Sequence, residues 1–246
     1  MQDILNKKYQ QLENFIYMVA HDLQSPLRQI RAYLDLYLYH YMSSINDKTK
    51  EWVNFIDNAS KRMQNHIKAL LTITKIDNMK HQHEVFSLDE LVDKVLSIYT
   101  DEIIKYDISI VKNNCSEIKA VKVLTEILLQ NLIENAIKFK KEGASQPEIK
   151  ISLDVTDSFW KILVADNGLG IEEDLQVVIF EKFQKLTNNN SNSGNGLGLF
   201  ISKRIVEIHN GFINLDSRPN EGSIFEINLP KIKKDHCFSS KDKEYV

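Results

Sequence analysis

No glycine precedes Gly143, and Pro26 is the only proline before Pro147. A stretch this free of helix breakers excludes a loop-rich front half and predicts long helices. Cysteine is scarce as well. Cys115 and Cys237 lie far apart and match no metal or redox spacing, which excludes a disulfide scaffold and fits a reducing cytosol. No apolar run approaches the ~18–20 residues of a membrane span. The opening residues Met1-Gln2-Asp3-Ile4-Leu5-Asn6-Lys7-Lys8 carry no apolar signal-peptide core. The formal net charge of −3 leaves no excess of basic residues, so nothing points to nucleic acid. These absences predict a cytoplasmic chain with no membrane segment, either a whole protein or the soluble part of a longer sensor. What is present suffices for folding: 43% of the 246 residues are hydrophobic, enough for one large domain or two modest ones.

Apolar residues in the front half follow a helical period. Phe15, Val19, Leu23, Leu27, Ile30, Leu34 and Leu38 recur three or four apart, up to about Tyr41. Ser43 to Asp47 reads as a turn. A second stripe follows at Val53, Ile56, Met63, Ile67, Leu70, Ile73 and Ile76. Two long amphipathic helices joined by a short turn form a hairpin with little core of its own. Two such hairpins packed as a four-helix bundle bury both stripes, so the pattern predicts a homodimer. Residues 1–80 are therefore expected to form the dimerisation region. Asn78 to Phe86 breaks the period and reads as a linker. Ser87-Leu88-Asp89-Glu90 is a capping box opening a helix to about Lys105. Ile108 to Val111 reads as a strand and Val123 to Phe139 as a helix. Glu148 to Val155 and Phe159 to Ala165 alternate as strands. A helix is expected near Leu199 to His209, and a closing hairpin at Phe212 to Asp216 and Ser223 to Leu229. This alternation predicts a two-layer α/β sandwich over residues 86–230. Residues 231–246 read as a charged, disordered tail.

Five of the eight glycines fall in two clusters. Asp166-Asn167-Gly168-Leu169-Gly170-Ile171 follows an apolar strand. A carboxylate at a strand end accepts a hydrogen bond from an exocyclic amine, and flanking glycines let a flat ligand approach closely. The same residues also suit a tight turn with a capping Asp. Gly194-Asn195-Gly196-Leu197-Gly198-Leu199 opens a helix, where free backbone N–H groups make a phosphate site. No Lys-Ser/Thr follows, which excludes a Walker loop, and no βαβ unit surrounds it. The polar run from Asn188 to Ser193 before it reads as a surface loop or a mobile lid. Asn131 and Asn135 share a helix face, with Lys138 three further on. Amide oxygens suit Mg²⁺ and an ammonium suits phosphate, although an isolated Asn pair is usually solvated surface. Finally, Ala20-His21-Asp22-Leu23-Gln24-Ser25-Pro26-Leu27 sets His21 off the apolar stripe with a carboxylate adjacent. Pro26 inside a helix costs ~3 kcal/mol or more, which suggests a built-in kink. A neutral imidazole oriented by a carboxylate is a competent nucleophile near pH 7.

These segments, in this order, resemble the sensor histidine kinases of two-component systems, over roughly Leu12 to Pro230. The resemblance implies that His21 is the phosphorylated residue and that Asp22 orients it. It implies an asparagine box in which Asn131 and Asn135 meet the nucleotide, Asn135 binds Mg²⁺ and Lys138 approaches the phosphates. Asp166, Gly168 and Gly170 match the first glycine box, with Asp166 on the adenine amine. Ile179-Phe180-Glu181-Lys182-Phe183 resembles the phenylalanine box, with Lys185 as the basic residue after it. Gly194, Gly196, Leu197 and Gly198 match the second glycine box behind an ATP lid. The implied reaction is ATP-dependent autophosphorylation of His21, followed by transfer to an aspartate of a response-regulator receiver domain. Two features depart from the pattern. Val121 stands near where the family often has Asp. Ser25 stands where the family commonly has Thr or Asn in support of phosphatase activity. The rival readings are a GHKL-type ATPase or an ATP-binding dimeric scaffold, neither of which labels His21.

Overall fold

The structure is a computed structural model. It describes residues 2–41, 46–141, 143, 146–181 and 197–231, with side chains from Met18 onward except that of His21. The glycine-free front half forms two helices, α1 (Gln2–Tyr41) and α2 (Asp47–Asn78), which pack along each other. The helix continues through Pro26. Ser43 to Ile45, most of the expected turn, lie outside the described residues. The turn's end is the N-cap of α2: the Asn46 carboxamide oxygen accepts the Thr49 N–H at 2.8 Å, a contact of the kind worth ~1 kcal/mol.

The hairpin interior uses only part of each predicted stripe. Ala20 and Leu27 of α1 meet Ile67 and Leu71 of α2. Along α2, Val53, Ser60, Ile67 and Thr74 are buried at seven-residue spacing. A second seam stays open: Leu23, Ile30 and Tyr37 on α1, and Ile56, Met63 and Leu70 on α2, also seven apart, are exposed. Val19 and Leu23, expected to be covered, thus lie on the open seam. Arg31 bridges the helices, donating to Gln64 at 2.7 Å beside Asp57.

Beyond α2 the linker is more ordered than its sequence suggests. β1 (Glu84–Ser87) pairs antiparallel with β3 (Glu117–Ala120). Neither strand is legible in the sequence, because each is four residues long with too little alternation. Ser87 caps α3 (Leu88–Ser97) as expected, its Oγ accepting the Glu90 N–H. The helix expected to reach Lys105 breaks at Ile98 and resumes as α4 (Thr100–Lys105). β2 (Ser109–Asn113), α5 (Lys122–Lys138), β4 (Glu148–Val155) and β5 (Phe159–Asp166) follow. Next come α6 (Glu173–Gln176), a 3₁₀ turn (Val178–Phe180), α7 (Gly198–Ile208), β6 (Phe212–Arg218) and β7 (Gly222–Pro230). The five-stranded sheet has the order β2-β4-β5-β7-β6, with only β2–β4 parallel. Alternate residues such as Ile149, Ile151, Ile162, Val164, Phe225 and Ile227 are buried. They form one core with Leu124, Leu128, Leu132 and Ile133 of α5 and Ile201 and Ile205 of α7, giving the expected two-layer α/β sandwich.

The end of α2 belongs to that same core. Ala69 and Ile76 are buried in it, and Arg204 of α7 donates to Asp77 at 2.9 Å. Nearby, His209 is buried between linker and sandwich. Its Nε2 accepts the Val121 N–H at 3.1 Å, which leaves Nδ1–H to donate to the Ile205 carbonyl at 2.8 Å. His83 of the linker stacks edge-on against it at 5.6 Å. Val121 offers no side-chain cap to α5, and the His209 ring takes up its backbone N–H.

Burial holds the His209 pKa below its ordinary value, and protonation would set an N–H against the Val121 N–H. A lowered folded pKa means the unfolded chain binds the extra proton. The contribution is therefore complete above the unfolded value of about 6.5 and is lost as pH falls below it. His83, lowered chiefly by burial, acts in the same sense. Asp166, raised to about 6 by burial, acts in the opposite sense, favouring the fold as pH drops. Urea unfolding of wild type and His209→Gln between pH 8 and pH 5 isolates the His209 share. The stability gap between the two proteins is expected to narrow on acidification; a constant gap would contradict the assignment.

Candidate functional site

β5 delivers Asp166 as its last residue, on the face turned toward the helices. Its carboxylate accepts the Gly168 N–H at 2.8 Å, and the backbone N–H of Ser223, the residue opposite it on β7, favours its ionised form. Burial is the larger effect and pushes the carboxyl up to about 6 despite those two donors. A desolvated carboxylate with neutral donors only is poised for a ligand that donates a hydrogen bond. Asn167 fixes the loop behind it. Its Oδ1 accepts the Glu148 N–H at 2.8 Å and its Nδ2 donates to the Gln146 carbonyl at 3.0 Å.

The glycines are required by closeness. Gly170 has φ +67°, and a Cβ there would overlap the Arg218 carbonyl oxygen of the β6–β7 turn. Gly168 lies against the Phe139 carbonyl, which also accepts the Leu169 N–H at 2.9 Å. The glycine loop is thus clamped between the end of α5 and the β6–β7 turn, where Asn220 N–H meets the Leu169 carbonyl and Lys141 Nζ meets the Asn220 carbonyl.

α5 connects this end of the site to the other. Gly198, the first residue of α7, faces the Asn131 side chain: a Cβ on it would lie 3.6 Å from the Asn131 Oδ1. Leu197 just before it is buried. The Asn131 Nδ2 is buried with no hydrogen-bond partner among the described residues. An orphaned amide N–H beside a helix N-terminus suits an anionic oxygen. From Asn131 to Phe139 the helix advances about 12 Å, which separates the α7 end of the site from the Asp166 end. Asn135 is one turn along from Asn131, and Lys138 follows, its Nζ 4.8 Å from the Phe139 ring centre. Phe180 sits in the 3₁₀ turn, half-buried against the core. Lys185, Gly194 and Gly196 lie outside the described residues, as does the side chain of His21. The backbone of His21 and Asp22 is helical and directly follows Ala20, which packs with Ile67.

Sequence reasoning missed the supports of this site. Ser217, Gln176 and Ser223 join the glycine loop to the β6–β7 hairpin. No periodicity or spacing singles out a serine in a strand or a glutamine in a four-residue helix.

Helical hairpin, α/β sandwich and clamped glycine loop together define an ATP-using domain docked on a phospho-acceptor hairpin. The family model "Histidine kinase-, DNA gyrase B-, and HSP90-like ATPase" matches residues 121–233, and "His Kinase A (phospho-acceptor) domain" matches residues 11–78. The phytochrome-like protein Cph1 of Synechocystis is 34% identical over 226 residues, covering 92% of this chain and 30% of the relative. The nucleotide-free catalytic domain of the histidine kinase ThkA is 30% identical with a TM-score of 0.52, covering 61% of this chain and 96% of that one. The Acinetobacter baumannii histidine kinase AdeS shares the fold, with a TM-score of 0.61 at 20% identity over 87% of this chain and 98% of that one. The chain belongs to the sensor histidine kinases. It spans less than a third of the length of the phytochrome relative. Among the described residues, no helix is long and apolar enough to cross a membrane.

Proposed function

We propose that this chain is a kinase core that transfers the γ-phosphoryl group of ATP to its own His21 and then to an aspartate of a response-regulator receiver domain. One observation carries the reading: the end of α2 is built into the core of the nucleotide-binding sandwich, through Ile76, Ala69 and the Asp77–Arg204 pair. The hairpin that carries His21 and the ATP-binding sandwich are therefore joined through one core, which a free-standing ATPase does not need. In the proposed roles, Asp166 accepts the adenine amine, with Gly168 and Gly170 shaping the base pocket and Phe180 contributing to nucleotide binding. Asn131, Lys138, Lys185 and the α7 N-terminus with Gly194, Gly196, Leu197 and Gly198 receive phosphate oxygens. A Mg²⁺ ion held by Asn135 would neutralise those oxygens. The unprotonated ring nitrogen of His21 attacks the γ-phosphorus in line, the bond to the β-phosphate oxygen breaks, and ADP leaves. Asp22 orients the imidazole and takes up the proton that the phosphorylated ring releases.

The open seam at Leu23, Ile30, Tyr37, Ile56, Met63 and Leu70 supports a homodimer, because a second hairpin covers it as a four-helix bundle. Residues 1–80 then serve dimerisation and phosphotransfer, and residues 86–230 bind ATP. Incubation with γ-labelled ATP and Mg²⁺ tests the reaction. Wild type is expected to gain an acid-labile, alkali-stable label, and His21→Gln is expected to gain none while still binding ATP. Release of labelled phosphate with no labelled protein would favour an ATPase instead.

A further inference from the structure

We infer that Ser217 is a positioning residue for adenine recognition, acting through the β6–β7 hairpin on Asp166; the inference rests on the reading that Asp166 receives the adenine amine. Ser217 is 8% exposed, and its hydroxyl is fully committed. Ser217 Oγ accepts the Ile171 N–H at 2.9 Å and donates to the Gly222 carbonyl at 2.8 Å. A hydroxyl has one proton and two lone pairs, so the remaining contact, Ser223 Oγ at 2.9 Å, is a donation from Ser223. Gln176 doubles the tie: its Nε2 donates to the Ile171 carbonyl at 3.0 Å and to the Ser217 carbonyl at 2.8 Å.

The node therefore holds three things in register. Ile171 ends the glycine loop. Gly222, at φ +107°, presses against the Asp166 carbonyl so closely that a Cβ would overlap it. Ser223 is the β7 partner of Asp166, and its backbone N–H favours the ionised carboxylate. Lys141, Arg218 and Glu221 flank this end of the site; burial raises the Asp166 carboxyl, and the Gly168 and Ser223 N–H groups lower it. Whatever fixes Ser223 against β5 therefore bears on the ionisation of that carboxylate. Without the Ser217 hydroxyl, the Ile171 N–H is left buried and unpaired and the hairpin is free to shift. Its Ser223 donor then withdraws, and the carboxylate is more easily protonated.

The test is calorimetric titration of the full chain with ATP and with purine riboside triphosphate, which lacks the exocyclic amine, across pH 5 to 8. Ser217→Ala is expected to weaken ATP about fivefold, the scale of one lost hydrogen bond, with little change for the analogue. The pH midpoint of the ATP preference is expected to move upward. Ser217→Thr, which keeps the hydroxyl, is expected to restore both. If Ser217→Ala does not fold, Gln176→Leu decides by the same readouts. An unchanged preference and midpoint would overturn the inference, and so would equal weakening of both nucleotides, which marks general loosening. A wild type with no preference for ATP over the analogue would remove the Asp166 reading itself, and this inference with it.

Discussion

Asn135→Ala is expected to lower the rate of His21 phosphorylation at least about a hundredfold at limiting Mg²⁺, the scale of losing one preorganised electrostatic contact to a transferring group. Its thermal midpoint is expected to stay close to that of wild type. Asn135 is only half-buried on α5, and the core side of that helix is filled by Leu128, Leu129, Leu132, Ile133 and Ile137 instead. A missing metal ligand weakens the ion without abolishing it, so raising Mg²⁺ is expected to recover part of the rate. ATP titrated without divalent metal is expected to bind almost as tightly as to wild type. Full activity of the variant at limiting Mg²⁺ would show that Asn135 is an ordinary surface residue.

Asp166→Asn is expected to move binding and stability in opposite directions. ATP affinity should fall about five- to a hundredfold, because the adenine amine loses a charged acceptor worth ~1–3 kcal/mol. The unliganded protein should become more stable at pH 8, because the variant no longer buries a carboxylate that prefers to be neutral. The pH dependence follows from the same shift. The carboxylate binds the amine in its ionised form, so wild-type affinity declines as pH drops through about 6. The variant lacks that titration, and the ratio of the two affinities at each pH cancels the protonation of the nucleotide's own phosphates. A ratio independent of pH, or a variant less stable than wild type at pH 8, would contradict the role assigned to Asp166.

The parts of the fold that sequence made legible are those in which pattern and packing coincide. The period of α1 and α2, the Ser87 capping box, the alternation of β4 and β5 and the Asp-Asn-Gly loop each state locally what the fold does. The linker was less legible. β1 and β3 are stabilised by each other across some thirty residues of chain, and neither has a pattern of its own. The long helix expected up to Lys105 breaks at Ile98 and Tyr99 although no Gly or Pro marks the place. The apolar stripe on α1 reads as one surface, yet it divides into a covered seam at Ala20 and Leu27 and an open one at Leu23 and Ile30. Sequence periodicity reports that a face is apolar and not which neighbour covers it. At the site, Asp166 and its glycines announced themselves by composition. Ser217 and Gln176 did not, because their importance lies in tertiary hydrogen bonds to a loop more than forty residues away from Ser217.

The central claim is that the phosphoryl group lands on α1 of the hairpin whose second helix, α2, is docked to the ATP-binding sandwich. Mapping by mass spectrometry, under alkaline digestion that preserves phosphohistidine, tests it most directly. After incubation of wild type with ATP and Mg²⁺, the modified peptide is expected to span Ala20 to Leu27, with the phosphoryl group on His21. A phosphoryl group on Ser25 or outside that peptide, or an unmodified chain that still hydrolyses ATP, would contradict the account.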